Sequence, residues 1–203
     1  MATDLRSTDL KMTDDQELMT AIQTGDAQAY ESAVKKHMKS ISHYAFRMLG
    51  NTKDTEDITQ ETFLRLWTHA DSWRSEKASV STWLHRIAHN LCIDYLRKDK
   101  SAVTSEYMDE LDMDDKPMDM PDNVNKLAAL KQALELLPER QRSALVLNHY
   151  HGFSNREIAE IMDISVDALE SILARARRGL KAQLLAKPSS STERSLEINR
   201  IQD

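Results

Sequence analysis

The sequence predicts an all-helical protein built as two small domains joined by an acidic linker. Three observations carry that prediction. Glycine and proline number only four each in 203 residues, while Leu, Ala, Met, Lys and Glu are frequent, a balance that favours helix over turn-rich folds. Apolar residues recur at three- and four-residue steps along most of the chain. The strip from 99 to 122 breaks that rhythm, with nine acids against two bases, net −7, and two prolines.

The elements follow in order. "DDQELMTAIQTGD" sets Leu18, Met19 and Ile22 on one side and stops at Gly25. The next 24 residues place Tyr30, Val34, Met38, Ile41, Ala45, Met48 and Leu49 on one stripe and end at Gly50. "TKDTEDITQETFLRLWTHADSW" repeats the step with Ile58, Phe63, Leu66 and Trp67, and "SVSTWLHRIAHNLCIDYLRK" with Leu84, Ile87, Ala88, Leu91 and Tyr95. Such stripes are the apolar faces of helices packed around a core. Ser81 or Thr82 is expected to cap the last of these. Beyond the strip, Leu127, Leu130, Leu134 and Leu137 form one helix face, Pro138 opens the next helix, and Gly152 ends it. Ser154 with Glu157 three residues on has the pattern of a capping box.

Composition narrows the function classes. One cysteine, Cys92, allows no disulfide within the chain and suits a reducing compartment. The first residues show no apolar signal-peptide core, and no stretch approaches a membrane span, so a cytoplasmic protein without membrane insertion is expected. There is no P-loop, no metal-spaced Cys/His set and no convincing pairing of nucleophile and base, so no enzyme, metal or cofactor is expected. His85 and His89 stand four apart on one helix, but without a neighbouring carboxylate or thiolate they read as groups facing solvent or phosphate. Trp73, Trp83 and Cys92 read as core residues, although either Trp could stack on a base. The net charge of −6 argues against a nucleic-acid binder until it is divided along the chain. Residues 18–98 carry nine acids and eleven bases, net +2, and residues 123–187 carry seven acids and ten bases, net +3. Two mildly basic blocks flank the acidic strip.

The segment "SNREIAEIMDISVDALESILARARRGL" reads as two short helices about a tight break, the pattern of a helix-turn-helix. Ile158, Ala159 and Ile161 would pack the first helix, Ile164 the turn, and Leu169, Ile172 and Leu173 the second. A plain helical hairpin would show the same stripes.

Two passages together are more specific. "DITQETFLRLWTHADSWRSEKASVSTWLHRIAHNLCIDYLRK" (57–98) and "LPERQRSALVLNHYHGFSNREIAEIMDISVDALESILARARRGL" (137–180) resemble bacterial RNA polymerase sigma factors of the extracytoplasmic-function (ECF) group, within the sigma-70 family. The similarity covers about residues 15–185 in the family's order. It implies a flexible N-terminus (1–14), a region 2 domain (15–98), the acidic linker (99–122), a region 4 domain (123–187) and a flexible tail (188–203). It also implies an alternative sigma factor that directs core polymerase to promoters, in a stress or envelope response. A sigma-like regulator or adaptor working without core polymerase is the alternative, and the docking helix argues against it.

The residue roles come with the resemblance. Asp57, Gln60, Glu61 and Leu64 match the motif that docks on the coiled coil of the largest polymerase subunit, and their i, i+3, i+4, i+7 spacing puts them on one face. Arg74, Lys77, Ser79 and Ser81 fall in the loop that would hold an unstacked base of the −10 element. Arg86, His89, Asn90, Arg97 and Lys98 would grip the opened strand along the following helix. Asn155, Arg156, Ser165, Asp167, Ala168, Glu170, Ser171, Arg175, Arg177 and Arg178 would meet the −35 element. The commoner family pattern has Lys and Arg where this chain has Glu170 and Ile172, a departure that bears on phosphate grip and base preference. Region 4 would also meet the polymerase beta flap, the linker would run near the active-site cleft, and an anti-sigma factor is an expected partner. From its charge and low apolar content, the strip 99–122 is expected to be cut first in limited proteolysis, leaving fragments near 1–100 and 123–190. First cuts elsewhere would show that it packs in the free chain.

Overall fold

A computed structural model describes residues 14–76, 78–99 and 129–185. These residues form helices and connecting turns, with no strand among them. The helices are α1 (14–23), α2 (Ala27–Leu49), α3 (Thr52–Thr68), α4 (Val80–Asp99), α5 (129–135), α6 (Glu139–His149), α7 (Asn155–Ile161) and α8 (Val166–Leu185), with a single 3-10 turn at Ala70–Ser72. The all-helical prediction is met. The expectations for 1–13, Lys77, the linker from 100 to 122 and the tail lie outside the described residues.

Caps set the helix ends. Asp26 accepts the Gln28 and Ala29 N–H groups at the start of α2, and Gly50 closes it at φ 80°. That left-handed conformation costs glycine nothing and lets α3 turn back against α2 within two residues. Asn51 caps α3 through Asp54 N–H at 2.9 Å, and Tyr95 of α4 donates to the Asp54 carboxylate. The start of α4 corrects the sequence expectation of Ser81 or Thr82 as its cap. Ser79 Oγ accepts the Thr82 N–H at 3.1 Å, and the Asp15 carboxylate, reaching over from α1, accepts the Val80 N–H at 2.9 Å. Position alone could not reveal a cap supplied from 65 residues away. Pro138 stands just before α6, as its N-cap.

Helices α1 to α4 pack around Met19, Ile41, Tyr44, Met48, Leu66 and Leu84, and α5 to α8 around Leu145, Leu147, Ile158, Ile161 and Leu169. Gly179 marks where α8 crosses the α5–α6 turn: an added Cβ would stand 3.0 Å from Leu137. The buried apolar side chains of the two halves form one continuous cluster, because α2 packs on α6 and α4 on α7. This packing of one half on the other is the feature of the fold that the sequence did not announce.

Candidate nucleic-acid interface

The helix-turn-helix is built by local rules. Ser154 and Glu157 form the expected reciprocal capping box at the start of α7. At its end, Asp163 N–H bonds Glu160 O and Ile164 N–H bonds Ala159 O, with Asp163 at φ 53°. That is a Schellman turn with an aspartate in the position glycine usually fills, a conformation that Asp tolerates better than most side chains. Ser165 Oγ then accepts the Ala168 N–H at 3.2 Å and starts α8. Ile158, Ala159, Ile161, Leu169, Ile172 and Leu173 are buried as expected. Asp167, Glu170, Ser171, Arg175, Arg177 and Arg178 are exposed, Ala168 is half-buried, and Asn155 and Arg156 stand half-buried and exposed at the start of α7. Arg175 donates back to the Ser171 carbonyl at 3.2 Å, which holds its guanidinium along the helix.

In the first half, Asp57, Gln60 and Leu64 are exposed on α3, and Glu61 is half-buried and paired with Arg65 at 2.8 Å. The spacing therefore delivers one face, but its second acid is partly balanced by its own helix. Beside it Trp67, expected in the core, is 41 % exposed, with Tyr30 edge-on at 5.2 Å, and Leu64 is 53 % exposed. The face is thus acidic at one end and apolar at the other. Trp67 follows Leu64 by three positions, so the same helical spacing could have placed it here.

The loop before α4 is ordered by Trp73, which is buried as expected and donates from Nε1 to the Ala78 carbonyl at 3.0 Å. Arg74 is exposed but folds back on the Asp71 and Trp73 carbonyls. Ser79 is spent on the α4 cap, and the half-buried Ser81 gives its carbonyl to His85. Lys77 lies outside the described residues. Along α4, Asn90, Arg97 and Lys98 are exposed, while Arg86 is half-buried and reaches Asp163 in the helix-turn-helix at 3.3 Å.

His89 departs from expectation. It is 5 % exposed, and its Nδ1 lies 3.0 Å from both Tyr44 Oη and Ser143 Oγ, which are 2.9 Å apart. It closes a three-membered polar ring between the halves and offers no surface to a strand. His85 departs likewise, being fully buried. The Ser81 carbonyl can only accept, so His85 Nδ1 carries the proton and its Nε2 accepts from Ser40. The Ser40 oxygen then accepts from His151 Nδ1 at 3.1 Å. Burial pushes His85 and His89 down to about 4, and burial with the nearby His85, Arg47 and His43 pushes His151 down to about 3, so all three are neutral near pH 7. Burial also raises the Cys92 thiol, which makes it an inert core residue, as expected.

The Sigma-70 region 2 family matches residues 33–102, and the Sigma-70 region 4 family matches residues 127–180. The chain is 32% identical over 177 residues to the ECF RNA polymerase sigma factor SigW of Bacillus subtilis, covering 80% of this chain and 92% of that protein. It is 33% identical over 181 residues to the ECF RNA polymerase sigma factor SigE of Mycolicibacterium smegmatis, covering 85% and 68%. This chain belongs to the ECF RNA polymerase sigma factors. Among solved structures, CnrH in complex with the cytosolic domain of CnrY superposes with a TM-score of 0.65 at 26% identity, over 86% of this sigma factor and 99% of that chain. The sigma factor RpoE of Bartonella quintana, in complex with the anti-sigma factor NepR, gives 0.64 at 23% and shares the fold.

Within the sigma factor, the region 2 match runs from residue 33 in α2 through α4, and the region 4 match takes in α5 to α8 as far as residue 180. The groups that sequence reasoning missed are Ser40, Tyr44, Ser143 and His151, which tie the regions together. Nothing in their spacing signals it, since the partners lie 45 to 111 positions apart. No described helix is long and apolar enough to cross a membrane, and no described group of three or more His, Cys, Asp or Glu could hold a metal.

Proposed function

We propose that this sigma factor binds core RNA polymerase, directs it to specific promoters in the cytoplasm, and catalyses no reaction of its own. One observation carries the reading: a region 2 whose α3 presents Asp57, Gln60, Glu61 and Leu64 is followed in the same chain by a region 4 helix-turn-helix whose α8 presents an exposed polar face. In this reading α3 docks on the coiled coil of the largest subunit, with Trp67 extending the contact. The Arg74–Ser81 loop and the α4 face bearing Arg86, Asn90, Arg97 and Lys98 take the −10 element, and α8 takes the −35 element while region 4 rests on the beta flap. The named complexes of related folds with CnrY and NepR favour an anti-sigma factor as a further partner, and the relatives favour a role in a stress or envelope response.

On α8 the roles divide by position. Asp167, Ala168 and Ser171 lie in the first turns, where a helix entering the major groove reaches base edges, and Arg175, Arg177 and Arg178 lie later, where phosphates run. Asp167 or Glu170 can accept from a cytosine amino group. Run-off transcription with core polymerase over a panel of −35 variants tests this. Arg178→Ala lowers initiation at all cognate promoters alike. Asp167→Ala or Ser171→Ala changes tolerance at single −35 positions, by a factor on the order of 5 to 100. Glu170→Lys separates two roles: relaxed base preference marks a reader, and a uniform gain marks a surface acid. Unchanged base preference in all three mutants would remove α8 as the specificity element, and no promoter-specific transcripts would remove the sigma reading itself.

A further inference from the structure

The loop assigned to the −10 element connects the 3-10 turn at Ala70–Ser72 to the start of α4 at Val80. Both of its ends are held by α1, a helix to which the roles above give no part. At the entry, Gln23 donates from Nε2 to the Ala70 carbonyl at 2.9 Å. At the exit, the Asp15 carboxylate accepts the Val80 N–H at 2.9 Å. The two residues are eight positions apart, about 12 Å along a helix. Between them, Met19 and Ile22 are buried in the core and fix α1 in place. Both contacts come from residues that precede the region 2 match, which begins at residue 33.

Asp15 carries the stronger signal of the two. Its side chain is buried, with Lys36 of α2 as its cation at 3.5 Å. Burying a carboxylate costs free energy that its partners must offset. The start of α4 does not need it as a cap, since Ser79 already accepts the Thr82 N–H and water can satisfy the other donors of a first turn. What the Asp15 bond adds is position. It ties the first turn of α4 to a helix 65 residues earlier, and the Gln23 bond ties the turn before the loop to the same helix. Within the loop, Trp73 donates to the Ala78 carbonyl and the Ser79 hydroxyl meets that of Thr82 at 2.9 Å, so a shift at either end passes to the residues between. Groups that recognise a ligand from a loop work only when the elements behind them hold them to within about 0.5 Å.

We propose that α1 is a brace for the −10 loop, and that Asp15 and Gln23 are positioning residues that set how sharply the loop discriminates between bases. They touch the loop and not the DNA. The proposal rests on the sigma reading above and adds to the −10 site a part from outside the matched segment.

The test is run-off transcription by the full chain with core polymerase, over one promoter panel varied at each −10 position and a second varied at each −35 position. Asp15→Ala with Gln23→Met should lower the preference for the best −10 base over the others on the order of tenfold, while capture of core polymerase and the −35 preferences stay at the wild-type level. Asp15→Asn keeps the acceptor oxygen and should restore most of the −10 preference in the Gln23 background. Asp14→Ala separates the loop contact from the charge, because Asp14 also lies 3.5 Å from Lys36 but makes no bond to the loop, and it should leave the −10 preference unchanged. Gln23→Met alone, at an exposed position, should show the same selective loss severalfold, so the test holds even where the double variant does not fold. Unchanged −10 preference in Gln23→Met and in the double variant overturns the brace and leaves the sigma reading standing. A loss shared equally between the −10 and −35 panels, or one that Asp14→Ala reproduces, also overturns it. No promoter-specific transcript from the wild type fails the sigma reading and takes the proposal with it.

Discussion

Asp57→Lys with Glu61→Lys abolishes capture of core polymerase while the far-ultraviolet spectrum stays helical. Both side chains lie on the outer face of α3, one exposed and one half-buried. Reversing a charge at a complementary interface loses an attraction and adds a repulsion. At about 2 kcal/mol per position the pair costs roughly 4 kcal/mol, or about a thousandfold in Kd. The cost to folding is far smaller. Glu61 gives up an i,i+4 pair with Arg65, worth about 0.3–0.5 kcal/mol at such exposure. The Asn51 cap and the Tyr95–Asp54 bond that fix the start of α3 are untouched. Capture of core polymerase at the wild-type level by the double mutant, measured by pull-down, would show that this face is not the dock. Leu64→Asp provides a second reading on the apolar end of the same face, where a side chain 53 % exposed contributes little to the core.

Acidification from pH 7.5 to 5 lowers the melting temperature by on the order of 10 °C. His85 and His89 sit at about 4 in the folded chain and return to the ordinary value of 6.5 when released. The released state therefore binds more protons below pH 6.5. Stability is complete above that pH and is lost as pH falls toward 4. At pH 5 each histidine costs about 2 kcal/mol, and in a domain of this size each kcal/mol moves the midpoint by about 2–4 °C. The surrounding charges push the same way. His89 faces Arg140; His151 faces Arg47, His43 and His85; and His85 faces His37, which has Lys36 beside it. Asp15, beside His37, is the acid that opposes the trend. The check is calorimetry across this range on the wild type and on His89→Gln, whose slope should be shallower. A wild-type midpoint that does not move between pH 7.5 and 5 would mean that these imidazoles are not held neutral.

Parts of this molecule follow from short-range rules. The capping box at Ser154 and Glu157 is readable because its two partners are three residues apart. The helix-turn-helix core is readable because Ile158, Ile161, Leu169 and Leu173 sit at helical spacing around one break. The shared outer face of Asp57, Gln60, Glu61 and Leu64 on α3 is readable for the same reason. Where a side chain's surroundings came from a distant segment, the reading failed. Trp67 shares the period of the core residues Phe63 and Leu66, yet lies at the edge of the stripe and emerges beside Leu64. The cap of α4 comes partly from Asp15, and His89 looks like one more polar residue on an accessible helix.

By itself the sequence determined the helices, the ends set by near neighbours, the order of the two sigma regions and the sigma family, because helix period, local caps and motif spacing are properties of neighbouring residues. Only the tertiary structure decided that α2 and α4 close on α6 and α7, that His85 and His89 are buried and neutral, and that Arg86 spends its charge on Asp163. Those outcomes depend on which faces meet. Polar side chains such as Ser40, Tyr44 and Ser143 read as ordinary surface or core until a partner from the other half arrives to complete their hydrogen bonds.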